Sequence, residues 1–403
     1  MTDRGEGRIE QGTLLFHRVN LALFIAGFIT FSTLYDFQPL LPVLVADFNV
    51  TPAFGSLALS VATGALAVTL PVSGSISDAL GRRPMMMIAV VVTSLLALAS
   101  ALCRSLELLI VLRLVQGAVL AGVPAVAMAY LNEELAPGAV GRAMGLYIAG
   151  NAIGGMTGRI LTAWIADYLP WRGAIGCIGG LSLALALLFI LLIPASRHFR
   201  STPFRLLPLS RSLVGHLARP QLLCLFAVSF TGMGAFVTLY NYVTFRLLAP
   251  PYLMSQSQVA LIFVSYALGA FGSGMMGGLV ERFGRRAALL GSLLVMASGG
   301  CLTLLAPAAA IIAGIALFTL GFFGAHTVAS TWVGFLATSS RAQASSLYLF
   351  AYYLGSSISG TGGGFFWSSW GWPGVILLVL TLICAALAAT LLLAKLSRPA
   401  GSS

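Results

Sequence analysis

Long apolar runs separated by short polar interruptions dominate the chain. Twelve can be marked, at about 19–45, 54–76, 84–103, 106–131, 139–165, 171–193, 221–247, 255–280, 287–306, 308–335, 342–367 and 373–394. Each is close to the roughly 20 residues a helix needs to cross the hydrocarbon core of a bilayer. The apolar residues are consecutive, not alternating as in barrel strands, which argues against an outer-membrane barrel. The pattern predicts an all-α membrane protein with twelve transmembrane helices.

The runs fall into six, a polar gap and six more. That gap, residues 194–220, carries Arg197, Arg200, Arg205, Arg211 and Arg219 and is the only long polar stretch inside the chain. The expected organisation is a tail (1–18), a six-helix bundle (19–193), a linker (194–220), a second bundle (221–394) and a tail (395–403). The halves repeat each other. Gly74, Asp78, Gly81, Arg82 and Arg83 follow the second run, and Gly277, Glu281, Gly284, Arg285 and Arg286 recur 203 residues later, after the eighth. Leu146-Tyr147, Gly154, Trp171 and Gly173 recur as Leu347-Tyr348, Gly355, Trp372 and Gly374, 201 residues on. Parallel repeats of this kind predict two pseudo-symmetric bundles with a site between them.

Composition narrows the class. Hydrophobic residues make up 59% of the 403 residues and charged residues only 8%, against about a quarter in soluble domains. A soluble enzyme, a disordered chain and a disulfide scaffold are excluded. The net charge of +11 does not signal nucleic acid, because the basic residues sit between apolar runs. With the N-terminus inside, only Arg104, Arg172 and Arg246 fall at outer ends, and Arg113 and Arg159 lie within helices. The tails, linker and remaining loops hold the other arginines and Lys395. That bias places both termini in the cytoplasm. Trp164, Trp171, Trp367, Trp370 and Trp372 gather at the opposite ends, as expected of an interfacial belt. The first run is too long, and Asp3, Glu6 and Glu10 make its flank too acidic, for a cleaved signal peptide. The five cysteines have no metal spacing and read as small packing residues. No cofactor or metal is implied.

The twice-repeated G-x-x-x-D/E-x-x-G-R-R loop resembles the signature of the major facilitator superfamily, and the resemblance covers essentially the whole chain. It implies the facilitator fold and a cytoplasmic gate. Asp78 would face the start of the eleventh helix and Glu281 the start of the fifth. Arg113-Leu-Val-Gln116-Gly117 is similar to the family's R-x-x-Q-G motif, whose arginine is associated with proton coupling. A charge at membrane depth costs about 2.5 to 3.5 kcal/mol on insertion scales and needs a partner or a cavity. Gly141, Gly150, Gly154, Gly155 and Gly158 resemble the fifth-helix antiporter motif, except that Gly155 stands for its proline and Arg159 for its last glycine. Glycines so spaced suggest a smooth face for close packing between the halves.

Tyr35-Asp36-Phe37-Gln38-Pro39, ending the first run, resembles the first-helix motif of drug antiporters. Asp36 is the only carboxylate well inside an apolar run, and an acid taken out of water is a candidate proton carrier. His326, midway along the tenth run, is either a proton or ligand site or a histidine bonded to a neighbouring helix. Asn151, Gln116, Asn241, Tyr242, Tyr35 and Gln38 are candidate cavity residues. The stretches 145–159 and 343–357 resemble the acriflavine-sensitivity group of bacterial inner-membrane, drug-efflux-like transporters. That resemblance implies a monomeric, multi-pass inner-membrane antiporter, of the kind associated with multidrug resistance, that exports small amphipathic compounds against protons. A proton-coupled importer of an organic acid or other nutrient is the alternative on the same fold. A membrane-embedded enzyme or lipid-moving protein is the alternative of another class. Against an enzyme, no His/Cys/acid cluster stands at membrane depth, and no nucleotide-binding loop is present for an ATP-driven pump. The net charge at depth, from Asp36, Arg113, Arg159 and His326, is positive and favours neutral, zwitterionic or anionic amphiphiles over simple cations.

Overall fold

The computed structural model describes residues 7–199, 201, 206–337 and 340–396, and among these described residues fourteen α-helices follow one another. Parts of both expected tails and of the linker, with Arg4, Arg200, Arg205 and Arg398, lie outside the described residues. The helices are α1 Leu14–Tyr35, α2 Leu41–Phe48, α3 Pro52–Leu80, α4 Arg82–Ser100, α5 Leu106–Leu120, α6 Pro124–Glu134, α7 Pro137–Ala166 and α8 Trp171–Leu192. Then come α9 Leu206–Leu217, α10 Pro220–Leu248, α11 Gln256–Ala260, α12 Ser265–Leu302, α13 Ala308–Leu336 and α14 Arg341–Leu396. Among the described residues the only β-contact is an isolated parallel bridge between Ile9 and Leu135. A bilayer offers backbone groups no water, so a spanning segment must satisfy them within its own helix.

Local chemistry marks the helix starts. Thr13 accepts from the Phe16 amide and Ser105 from the Leu108 amide. Ser255 and Gln258 form a reciprocal capping box. Pro124, Pro137 and Pro220 open α6, α7 and α10, where a missing N–H costs nothing.

Among the described residues nine segments are long and apolar enough to span a membrane: 14–48, 52–80, 82–100, 106–134, 171–192, 220–248, 256–302, 308–336 and 341–396. Four of the expected runs are therefore joined in pairs. Runs 255–280 and 287–306 share one helical stretch interrupted at Gly284 (φ +79°), and runs 342–367 and 373–394 share α14, interrupted at Gly371 (φ +59°). Only glycine takes such angles readily, and the helical stretch kinks there. The run at 139–165 is α7, whose 30 residues are long enough to span but are not among the nine.

The contacts divide the chain into two compact units, residues 1–37 with 68–205 and residues 38–67 with 206–403. In the first, α1 packs along α7. The glycines of the fifth-run motif make that packing possible. A Cβ on Gly150 would come within 2.5 Å of the Phe24 carbonyl oxygen, one on Gly158 within 2.6 Å of the Ser32 Cα, and one on Gly154 would strike the backbone of Phe28. The smooth face expected between the halves thus serves α1 of the same unit, because backbone-to-backbone approach needs the missing Cβ. Gly141 and Gly145, on the same helix, have open space over them. In the second unit α10 packs along α14, and Gly355 meets the Phe230 carbonyl as Gly154 meets that of Phe28.

Two expectations about single residue types are corrected. Trp164 and Trp370 are exposed, as a belt requires, but Trp171 and Trp372 are buried. Trp171 sits edge-on to Phe37, and the Trp372 indole N–H donates to the Thr303 carbonyl at 3.1 Å. These repeat mates hold helix ends together instead of facing the lipid interface, because a polar N–H can be buried once it has an acceptor. Cys103 and Cys224 are buried packing residues, but Cys177, Cys301 and Cys384 lie on the outer surface, where an apolar side chain meets lipid at no cost.

The glycine contacts predict a position-specific response on one helix. Gly154→Leu forces a side chain into the α1 backbone, whereas Gly145→Leu extends into open space. Overpacking of this kind costs about 1–3 kcal/mol. The thermal midpoint of the purified protein in detergent is expected to fall by several degrees for Gly154→Leu and to stay within about a degree of the parent for Gly145→Leu. Equal midpoints would show that α1 and α7 are not held by this contact.

Candidate functional site

The first unit gathers most of the predicted polar residues at one place, where α1 stops. Tyr35 is its last residue, the chain turns through Asp36 and Phe37, and a 3-10 turn follows at Gln38–Leu40. A helix end leaves its last carbonyls without intrahelical donors. Arg113 on α5 supplies them: Nη1 donates to the Thr33 carbonyl at 2.8 Å and Nη2 to the Leu34 carbonyl at 2.7 Å. A cation here also matches the negative end of the α1 dipole.

The same guanidinium is 3.4 Å from Oδ1 of Asp36, and both side chains are fully buried. Its Nη1 further donates to Oε1 of Gln116 at 2.6 Å, and the Phe37 ring lies 4.8 Å from its Cζ. Gln116 in turn donates to the Thr93 carbonyl of α4 at 3.3 Å. The R-x-x-Q spacing therefore has a local purpose. Three residues on, the amide lies on the same helix face and fixes the arginine's geometry.

Arg159 sits beside this pair. It is buried, its Nη1 donates to the Gly155 carbonyl at 2.6 Å, and its Cζ stands 4.0 Å over the Tyr35 ring. The two departures from the antiporter motif are one feature. A Cβ at position 155 would lie 3.3 Å from the Arg159 Nη1, so Gly155 supplies both the acceptor and the room. Tyr35, Asp36, Arg113, Gln116 and Arg159 form one cluster, with two cations and one acid. Asn151 stands apart from it on α7, its Oδ1 set against Gly27 of α1.

The other candidates belong to the second unit. Gln38 donates to Oδ1 of Asn241 at 2.7 Å, Tyr242 donates to the Gly360 carbonyl at 2.8 Å, and Ser357 donates to the Ser60 carbonyl at 2.7 Å. His326 Nδ1 meets the Tyr348 hydroxyl at 3.0 Å, and its ring packs against Phe322 and Tyr352. Ser229 holds the Tyr348 carbonyl at 3.0 Å. His326 is thus hydrogen-bonded to Tyr348 of α14. Phe37, Tyr348 and the carbonyls of Thr33 and Leu34 were not legible as partners, since nothing in their residue type announces an arginine or a histidine.

The repeated loops differ in their contacts. Gly81 (φ +99°) ends α3 and starts α4. Arg82 reaches Asp78 at 2.6 Å, Glu133 of α6 at 2.7 Å and the Ser77 hydroxyl at 2.9 Å, and Arg83 donates to the Ile193 carbonyl. Glu134 turns away to His198, whose amide and Nδ1 it meets at 2.9 and 3.0 Å. In the second loop Arg285 stacks on Phe335 at 3.9 Å. Glu281 and Arg286 are exposed and make no ion pair among the described residues. The last turns of α13, Thr331–Leu336, contain no acid to play the part of Glu133. Gly74 and Gly277 have open space over them. Among the described residues no group of three His, Cys, Asp or Glu could hold a metal.

Comparison with known proteins places these features. The Major Facilitator Superfamily profile matches residues 23–249 and 233–403. The chain is 46% identical over 379 residues to the MFS-type transporter YybF of Bacillus subtilis, covering 94% of each chain. It is 45% identical over 383 residues to the inner membrane transport protein YnfM of Escherichia coli, covering 95% of this chain and 92% of that one. Its fold resembles the solved nucleoside transporter NupG, with TM-score 0.76 and 13% identity over 94% of this chain and all of the other. A bacterial homologue of the human lysosomal transporter Spinster gives TM-score 0.75 with 16% identity, over 95% of this chain and 98% of that one. The chain is a multi-pass membrane transporter of the major facilitator superfamily.

Proposed function

We propose that this transporter exports small amphipathic organic compounds across the inner membrane in exchange for protons, with the Asp36–Arg113 pair as its coupling element. The observation that carries the reading is the fully buried contact between these two side chains at the broken end of α1. The guanidinium has two carbonyls, Gln116 and an aromatic ring besides its counter-ion. A proton on Asp36 removes the attraction across the pair yet leaves Arg113 held. Asp36 and the turn after α1 are then released while the Thr33 and Leu34 carbonyls stay on the guanidinium, so no buried cation is stranded. Tyr35 and Arg159 adjoin the pair and offer an aromatic face and a positive charge to a cargo whose binding is linked to that proton.

The transporter is read as twelve spans with both termini cytoplasmic. The 47-residue and 56-residue segments are each far longer than a bilayer requires and break at Gly284 and Gly371, and α7 supplies a further crossing. The linker at 194–220 then joins two six-helix bundles. On this reading the Asp78–Arg82–Glu133 cluster is a cytoplasmic gate, and the second loop, with an arginine on an aromatic ring, is the weaker partner.

The coupling test is Asp36→Asn. The variant is expected to fold, because Arg113 keeps its neutral acceptors, and to lose at least tenfold in proton-driven efflux from proteoliposomes while retaining cargo exchange without a gradient. Undiminished pH-driven efflux would remove Asp36 from the mechanism. The gate is tested by spin-label distances between cytoplasmic positions of the two bundles. Asp78→Asn is expected to enrich the inward-open distances more than Glu281→Gln. Equal effects would mean that the loops set topology and not conformation.

A further inference from the structure

Away from the Asp36 cluster, the first turns of α1 and the first half of α7 line an open groove of about 530 Å³. It is lined by Phe16, His17, Asn20, Leu21 and Phe24 on α1 and by Arg142, Gly145, Leu146 and Ala149 on α7. That volume is in the range of small-molecule sites. The lining is amphipathic. Two phenylalanines and two leucines form the apolar wall, and Arg142, His17 and Asn20 supply the polar side. No carboxylate lines it. Asn20 is 94% buried by its 6% exposure, and its Oδ1 has no hydrogen-bond partner. A buried amide without a partner is costly unless something binds there.

The lining differs between the two repeats. The groove's floor exists because Gly145 lacks a side chain and has open space over it. In the repeat, Arg142, Gly145 and Ala149 correspond to Gln343, Ser346 and Phe350, and Asn20 corresponds to Leu222. The second half therefore replaces the open floor by larger side chains and moves its positive charge, since Arg219 stands where His17 does.

We propose that this groove binds the head and first methylenes of an anionic amphiphile, a carboxylate or phosphate group on an apolar chain. The anion sits between Arg142 and His17, the Asn20 Oδ1 accepts from a hydroxyl or protonated group of a head that carries one, and the chain lies along Phe16, Phe24 and Leu146. Arg142 makes no ion pair with any described residue, so its charge is available to a ligand. Two sources share this chemistry: a membrane lipid with an anionic head, and an acidic compound on its way through the transporter. The second source rests on the export reading above.

The test uses the full-length protein in detergent and radiolabelled decanoate as probe, with decanol as its neutral counterpart. Wild type is expected to bind decanoate saturably. Arg142→Gln should weaken decanoate at least tenfold and decanol by less than threefold, and Gly145→Leu, which fills the floor, should abolish both. Unchanged decanoate affinity in either variant overturns the proposal. So does an equal loss of decanoate and decanol in Arg142→Gln, which would mean a purely apolar pocket. Co-purified lipid separates the sources. Retention of phosphatidylglycerol by wild type and its loss in Gly145→Leu assigns the site to lipid. Gradient-driven decanoate transport that falls in Arg142→Gln assigns it to cargo. Binding is measured without a gradient, so its failure leaves proton coupling at Asp36 standing, and failure of that coupling leaves the site standing.

Discussion

Hydrocarbon provides neither donors nor acceptors, and this constraint shapes both the helices and the site of this transporter. A helix that stops inside such a medium strands carbonyl groups, and α1 stops at Tyr35. The chain resolves this with Arg113, whose planar fork reaches the Thr33 and Leu34 carbonyls at once. Asp36, the next residue after the helix, lies 3.4 Å from this arginine and balances its charge. The break in the helix, the buried cation and the buried acid therefore occur together. Without the arginine the broken helix end would strand its carbonyls beside a buried acid, whereas without the acid's charge the arginine keeps its carbonyl and amide acceptors.

Close backbone approach is the second requirement, because apolar side chains gain little by leaving lipid for protein and association relies on contact. Gly150, Gly154 and Gly158 bring α7 onto α1, and Gly355 brings α14 onto α10. The Arg159 side chain uses the same economy of space, since Gly155 leaves room for it and accepts its hydrogen bond. A stretch whose residues depart from the family's glycine–proline motif thus keeps the packing face and adds a buried charge next to Tyr35 and Asp36.

The internal repeat has diverged where charge is concerned and not where packing is. Trp171 and Trp372 are both buried, and Gly154 and Gly355 both meet a phenylalanine carbonyl. By contrast, Arg82 has two acids and a hydroxyl, while Arg285 has an aromatic ring. Two-fold architecture needs equivalent backbone contacts. It does not need equivalent ion pairs.

The sequence by itself determined the membrane class, the helical runs, the repeat, the family resemblance and the short list of polar residues at depth. Those are properties of contiguous segments: hydrophobicity over about 20 residues, arginines in loops and a lone acid in an apolar run. Only the tertiary structure decided the partners. It joined Asp36 to Arg113 across 77 positions, turned the fifth-run glycines to α1 and set His326 against Tyr348. It also buried two tryptophans expected at the interface and left a groove open over Gly145. Each of these depends on how a helix is rotated and which neighbour it meets. A run that is hydrophobic all round carries almost no amphipathic signal to say so.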